Sequence, residues 1–271
     1  MKLIDTHCHL DVSAFDSDRE QVLKDANGQG VDLVVIPSLT PQSYQHVVDL
    51  SHRNASCCYA LGIHPMFIDD FGPSDMTNLN ALVAKTLEQE NKLVAIGEIG
   101  LDYFVTKQNK ETQAYFLKSQ LKIAQQHDLP VILHVRHAID DVLMHLRATK
   151  VRGGIAHAFN GSMHQAEAFI ALGFKLGFGG AMTYSRAKKI RELAKNLPLS
   201  SIVLETDAPD MPPVWLDKKD RNSPIELLKI AEILADLRRI PVSQIIEITS
   251  KNSAEVLPKI GDLYTRLEVL H

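Results

Sequence analysis

Cysteine is scarce in this chain: three in 271 residues, two of them the adjacent pair Cys57 and Cys58. Three thiols make no disulfide framework, and such sparing use fits a reducing compartment, so a cytoplasmic location is expected. No stretch approaches the roughly 20 apolar residues of a membrane span, and no membrane partner is expected. The opening Met1-Lys2-Leu3-Ile4-Asp5 meets charge at once, so no signal peptide is expected either. Positive charge is not in excess, since 29 Lys and Arg against 33 Asp and Glu leave a net charge of −4. That excludes a surface basic all over and leaves a local basic patch as the only route to nucleic acid. At 45% hydrophobic and 23% charged residues, disorder, collagen and coiled coil are excluded too. Histidine, by contrast, is plentiful, with twelve in the chain.

Eight short apolar runs, at 2–9, 32–38, 58–64, 94–100, 131–136, 154–158, 175–179 and 202–207, end in polar or glycine-containing turns. Several are continuous runs of β-branched residues and leucine, which suit parallel strands buried on both faces. Helix-like stretches lie between them, at 17–29, 43–52, 76–89, 112–127, 139–149, 162–171 and 186–196. From His7 to Asp207 the repeat is about 29 residues, the length of a strand–helix unit. Eight such units without a linker predict an α/β fold, a TIM (β/α)8 barrel, which typically needs about 250 residues. A single domain over residues 1–271 is expected, ending in additional helices. Ser223-Pro224-Ile225-Glu226 reads as a capped helix start. It follows a long loop, 208–222, on the face where barrel enzymes place their chemistry.

At the C-terminal ends of the runs stand His7 and His9, then His64, Glu98, His134, His157 and Asp207. Scattered core histidines would not select one end of so many strands. In His7-Cys8-His9 the alternation of a strand turns both imidazoles to one side, where they can share a divalent metal or simply meet solvent. Asp5, on the same face, either orients a histidine or ends in a local hydrogen bond. Glu98 lies in a buried run, where a carboxylate requires a cation or hydrogen bonds. Its two oxygens can bridge two metal ions, or it is a structural ion pair. Asp102 falls further out on the same face and reads as loop or supporting residue. His134 and His157 can supply a second metal position beside the first. Arg136, on the face of His134, is either an anion clamp or an outward structural arginine. Asp207 can bind metal and accept a proton, or merely start the turn before Ala208-Pro209. Glu205 can support a histidine from one step deeper. With four histidines filling the ligand set, His64 reads as a substrate contact. Gly177-Phe178-Gly179-Gly180 reads as a tight turn in the absence of a nucleotide fingerprint.

The ordered set Asp5-Thr6-His7-Cys8-His9, Gly62-Ile63-His64-Pro65, Gly97-Glu98-Ile99-Gly100-Leu101-Asp102, His134-Val135-Arg136, His157-Ala158-Phe159 and Glu205-Thr206-Asp207-Ala208-Pro209 resembles the TatD family of metal-dependent hydrolases. That family belongs among the amidohydrolase-like barrels, and the resemblance spans residues 4 to about 257. Asp207-Ala208-Pro209-Asp210-Met211-Pro212, with Gly179-Gly180 and Thr183-Tyr184, is most similar to the bacterial YjjV-like branch. The resemblance implies His7 and His9 on one metal, His134 and His157 on a second, Glu98 between them, and Asp207 as both ligand and general base. Two divalent ions are implied, with Mg2+, Mn2+ and Zn2+ all compatible with imidazole and carboxylate donors.

The activity this implies is metal-dependent deoxyribonuclease, described for some members as 3′→5′ exonuclease on single strands; on that reading His64 holds the substrate, joined by Arg136 if it is the anion clamp. Support from the residues is local. Arg186, Lys188 and Lys189 follow the seventh run, and Lys218, Lys219 and Arg221 share the long loop with Trp215. Together they read either as a grip on single-stranded DNA or as a solvated face beside a buried indole. The same site would also serve an amide or ester hydrolase, aminoacyl-RNA deacylation included, since fold and ligands do not fix the substrate. A non-catalytic metal-binding protein is a third reading, disfavoured by retention of every ligand and the base. A monomer is compatible with all three.

Overall fold

The β-branched runs form the strands of one parallel sheet. In the computed structural model, residues 2–89, 92–104, 109–217, 219–261 and 263 are described. Among them the strands are β1 (Leu3–Asp5), β2 (Val31–Pro37), β3 (Cys57–Leu61), β4 (Leu93–Asp102), β5 (Val131–Arg136), β6 (Gly154–Ala156), β7 (Phe174–Phe178) and β8 (Ile202–Leu204). Each pairs in parallel with the next, so spatial order equals chain order. The intervening helices are α1 (Arg19–Gly28), α2 (Tyr44–Arg53), α3 (Pro73–Gln89), α4 (Lys110–Gln126), α5 (Ile139–Ala148), α6 (Met163–Ala171) and α7 (Lys188–Asn196), followed by α8 (Leu227–Arg238) and α9 (Val242–Val256). This is the expected TIM barrel with C-terminal helices.

The seam between β8 and β1 is closed without a full ladder. Thr6 donates to the Leu204 carbonyl through both its amide (3.1 Å) and its hydroxyl (3.0 Å). Past the strands, Asp207 N donates to His7 O at 2.9 Å and His9 N to Ala208 O at 2.8 Å. Asp5, fully buried, accepts from His7 N (3.2 Å), Thr206 N (3.0 Å) and Thr206 Oγ1 (2.6 Å). Of the two readings of Asp5, the hydrogen-bonding one holds: its carboxylate staples the barrel shut and, among the described residues, meets no imidazole ring.

Alternate strand residues divide between two apolar layers. Ile4, Leu33, Val35, Cys58, Ala60, Val94, Ile132, Ile155 and Val203 fill the barrel interior together with Val256, Leu257, Ile260 and Leu263. The adjacent cysteines fall on opposite sides, Cys58 inward and Cys57 against the helices, as the two-residue period requires. α9 closes the end where the strands begin, with Ser250 Oγ donating to Lys2 O and Asn252 Nδ2 to Leu199 O and Ile202 O. The opposite end is left to the loops.

Four strands end two or more residues before their apolar runs do. β1, β3, β6 and β8 stop at Asp5, Leu61, Ala156 and Leu204, so His7, His9, His64, His157 and Asp207 lie on the first turns beyond. There the chain leaves the ladder and bends across the barrel mouth, with Ala158 and Asp207 in the left-handed region at φ 44° and 56°. β4 instead runs on as far as Asp102. The capped helix start at Ser223 also differs. A 3-10 turn over Pro224–Glu226 leads into α8, and the Ser223 side chain makes no cap hydrogen bond. Asn222 organises this corner, donating from Nδ2 to Thr206 O and Asp210 O, both at 2.8 Å.

Candidate metal centre

Glu98 is the hub. It sits where the β4–β5 register shifts between Ile96 and Ile99, and such an irregularity re-aims a side chain out of the regular pleat. Gly100, at φ 157°, lets β5 approach so closely that a Cβ would collide with the His134 carbonyl. The Glu98 carboxylate is 1% exposed and divides its two oxygens between two groups of imidazoles. Oε2 lies 3.1 Å from His7 Nε2 and 3.4 Å from His9 Nε2. Oε1 lies 2.9 Å from His157 Nε2, 3.0 Å from His134 Nδ1 and 3.4 Å from His64 Nε2. Asp207 joins the first group, its Oδ1 3.5 Å from His7 Nε2 and 3.7 Å from His9 Nε2.

These separations fit cation binding. An ion with nitrogen and oxygen donors at about 2.0–2.2 Å sets neighbouring donors roughly 3–3.6 Å apart. His7 Nε2 and His9 Nε2 stand 3.2 Å apart, and His134 Nδ1 and His157 Nε2 3.4 Å apart. Compact donor triads are formed by His7, His9 and Glu98, by His7, His157 and Asp207, and by His64, Glu98 and His134. Glu98 Oε2 is buried with no hydrogen-bond partner among the described residues. A buried anionic oxygen in that position calls for positive charge.

The electrostatics follow from the same crowding. Burial opposes the charge on Glu98, but the imidazoles of His7, His64 and His157 outweigh it and hold the carboxyl well below the usual range. His9 is disfavoured by burial, yet the adjoining Glu98 carboxylate and the charge of Asp207 push it up to about 9. His157 is likewise raised, burial being overcome by Glu98 and Glu205. His7, stacked on His157 with ring centroids 4.0 Å apart, is lowered by burial and by that neighbour. Burial also raises Asp207, to about 6. At 13% side-chain exposure it is the more accessible of the two carboxylates.

The remaining groups orient the cluster. His134 turns Nδ1 inward because its Nε2 lies 2.9 Å from Asp102 Oδ2. Asp102 is fully buried, and its Oδ1 accepts from Phe104 N. Of the two readings of Asp102, the supporting one holds, although a position four residues beyond Glu98 gives no sign of which imidazole it will meet. Glu205 lies at the expected depth, its Oε1 accepting from Ala158 N at 2.6 Å and standing 3.7 Å from His157 Nδ1. Gly177 admits it, since a Cβ there would overlap the Glu205 carboxylate. His64 has a fixed tautomer. Met66 N donates to its Nδ1 at 3.1 Å, so the neutral ring carries its proton on Nε2. Burial favours that neutral form, lowering the pKa to about 4. His64 therefore presents a donor to the cluster and not a lone pair.

Of the two readings of the long loop, Trp215 and Arg221 follow the structural one. Trp215 is only partly exposed, and its indole N–H donates to Glu226 at 2.6 Å. Arg221 is held by both oxygens of Asp18, at 2.8 and 2.6 Å, and lies over Phe15. Lys218 lies outside the described residues, and Lys219 is exposed. On the other side of the mouth stands a pair that sequence reasoning missed in part. Phe104 is 54% exposed, and the Arg136 guanidinium lies 3.7 Å above its ring. No carboxylate pairs with Arg136 among the described residues, and its exposed guanidinium is compatible with both readings of it, anion clamp and outward structural arginine. Gly180 starts a 3-10 turn against the Met211 backbone, so the glycine cluster is a tight turn, as expected.

Comparison with known proteins identifies the family. The family profile described as TatD related DNase matches residues 4–258. The chain is 38% identical over 253 residues to the uncharacterized metal-dependent hydrolase YjjV of Escherichia coli (strain K12), covering 93% of this chain and 96% of that protein. It is 31% identical over 271 residues to a human protein named deoxyribonuclease, with 96% of each covered. The crystal structure of YjjV, a TatD homologue from Escherichia coli, matches with a TM-score of 0.90 at 36% identity, over 94% of this chain and 98% of that one. No helix among the described residues is long and apolar enough to cross a membrane. The barrel, the histidine and carboxylate cluster at its mouth and these likenesses place the chain in the TatD family of metal-dependent hydrolases.

Proposed function

We propose that the chain hydrolyses phosphodiester bonds of single-stranded DNA from the 3′ end, at a site holding two divalent cations. One observation carries this reading: each oxygen of Glu98 faces its own set of imidazole nitrogens. His7, His9 and Asp207 would hold one ion and His134 and His157 the other, with Glu98 shared. Mg2+, Mn2+ and Zn2+ all suit such mixed donors. Ions held there would lower the pKa of water and neutralise charge building on phosphate oxygens. Relatives named deoxyribonucleases, human and mouse, support DNA as the substrate.

The protein's own groups then have distinct tasks. Asp207, the more exposed carboxylate, accepts the proton of the attacking water at its free oxygen. His64 donates from Nε2 to a phosphate oxygen. Arg136 stands two residues along β5 from His134, about 7 Å further out, and there its unpaired guanidinium meets the next phosphate, as a planar fork suits.

The experiment is hydrolysis of 3′-labelled single-stranded DNA by metal-stripped protein, before and after Mg2+ or Mn2+ is added. Shortening that appears only with metal is expected. Intact DNA alongside metal-dependent cleavage of an aryl ester or an aminoacyl-RNA would replace this reading with carbonyl hydrolysis. A supporting prediction concerns Asp102. Asp102→Asn leaves His134 in place but removes the charge behind its Nε2, and metal affinity or activity should fall about 10–100-fold. Metal titration of the variant checks this.

A further inference from the structure

Beside Asp207 the barrel mouth opens sideways. A cavity of about 140 Å³ lies between the ends of β6, β7 and β8, walled by Phe159, Gly179, Glu205 and Asp207. A wider groove of about 380 Å³ continues from it, lined by Tyr184, Arg186, Ala187 and Pro212. Ala181, Ile190 and Met211 wall both spaces. Neither space is needed to hold the cations, and the metal centre leaves their shape unexplained.

The walls are fixed and chemically one-sided. Tyr184 donates its hydroxyl to Pro212 O at 3.0 Å, which pins the ring across the groove. Thr183 Oγ1 donates to Gly180 O (2.7 Å) and accepts from Val214 N (2.8 Å), tying the turn after β7 to the loop after β8. The wider groove is otherwise apolar, apart from Arg186 at its rim, and the smaller cavity carries the carboxylates of Glu205 and Asp207. The Arg186 guanidinium lies 5.2 Å from the centre of the Tyr184 ring, and no carboxylate pairs with it among the described residues. A slot with an aromatic wall and a positive rim suits a flat ring tethered to an anion.

We infer that this groove is the nucleobase subsite for the terminal nucleotide. The base stacks against Tyr184 with Arg186 beside it at the rim, and the sugar occupies the smaller cavity that leads to Asp207. The inference rests on the phosphodiesterase reading for its direction, since the phosphate must lie at the metal centre. The sizes agree: a cavity of about 150 Å³ accepts a single ring of benzene size, which suits a deoxyribose, and the base then falls in the wider groove. Stacking on one aromatic side chain is sequence-tolerant, because every base has a π-face. The subsite would therefore select a base without selecting which base.

The test is calorimetric titration of the Mn2+-loaded protein with deoxyadenosine 5′-monophosphate and with deoxyribose 5-phosphate, which differ only in the base. Wild type should prefer the nucleotide by about tenfold or more. Tyr184→Ala should reduce that preference to near unity with deoxyribose 5-phosphate bound as before, and Tyr184→Phe should restore it. Equal affinities in wild type, no binding of either compound, or a preference that survives Tyr184→Ala would each overturn the subsite. DNA shortening is scored separately. A base preference without shortening removes the nuclease reading and keeps the subsite, whereas shortening without a preference does the reverse.

Discussion

Glu98→Gln should abolish hydrolysis to within about a thousandth of wild type and strip the protein of tightly held metal. The carboxamide keeps one acceptor oxygen and turns the other position into a donor. Whichever way it is rotated, either the His7 and His9 group or the His134 and His157 group then faces an N–H in place of an oxygen. The full negative charge is also lost from a position that is 1% exposed, where water cannot make up the difference. Breaking a buried charge pair typically costs about 3–5 kcal/mol, and at about 1.4 kcal/mol per factor of ten this is a hundredfold to several thousandfold. Metal content after dialysis and kcat/KM on labelled DNA read the two effects together. Retention of full metal content with less than a tenfold loss of rate would remove Glu98 from the centre of the site.

Asp207→Asn should separate binding from chemistry. The amide oxygen stays near His7 and His9, and His7, His9 and Glu98 still form a donor triad without it. Metal is therefore expected to be retained. The proton acceptor is gone, and loss of a positioned general base lowers kcat by about 10²–10⁴, with KM much less affected. That pattern differs from the one expected for Glu98, where metal and rate fall together. Loss of metal equal to the loss of rate would make Asp207 a ligand only and would require another base.

The six proposed ligand positions were legible because a parallel barrel brings the C-terminal ends of all its strands to one mouth. A residue type repeated at that end of six runs marks a shared site before any coordinate is known. What could not be read was where each strand releases its chain. Leu3–Asp5 and Ile202–Leu204 are only three residues long, because Asp5 and Thr206 replace ladder hydrogen bonds at the seam. Pattern also failed to separate charged residues with partners from those without. Arg221 finds Asp18 some 200 positions earlier in the chain, and Trp215 finds Glu226 across the loop, contacts that no periodicity encodes. Arg136 and Arg186 look no different in sequence. Each nevertheless lies over an aromatic ring with no acid to neutralise it. These two arginines place exposed positive charge beside aromatic surface at the mouth.

The division of Glu98 between two cations is the most directly measurable part of the proposed function. Metal-stripped protein would be titrated with Mn2+ and followed by electron paramagnetic resonance, with bound metal counted in parallel. The expected result is two ions per chain and an exchange-coupled signal, which disappears in Glu98→Gln. One ion per chain, with the simple six-line signal of isolated Mn2+ persisting at saturation, would contradict a shared carboxylate and leave a single-metal hydrolase in its place.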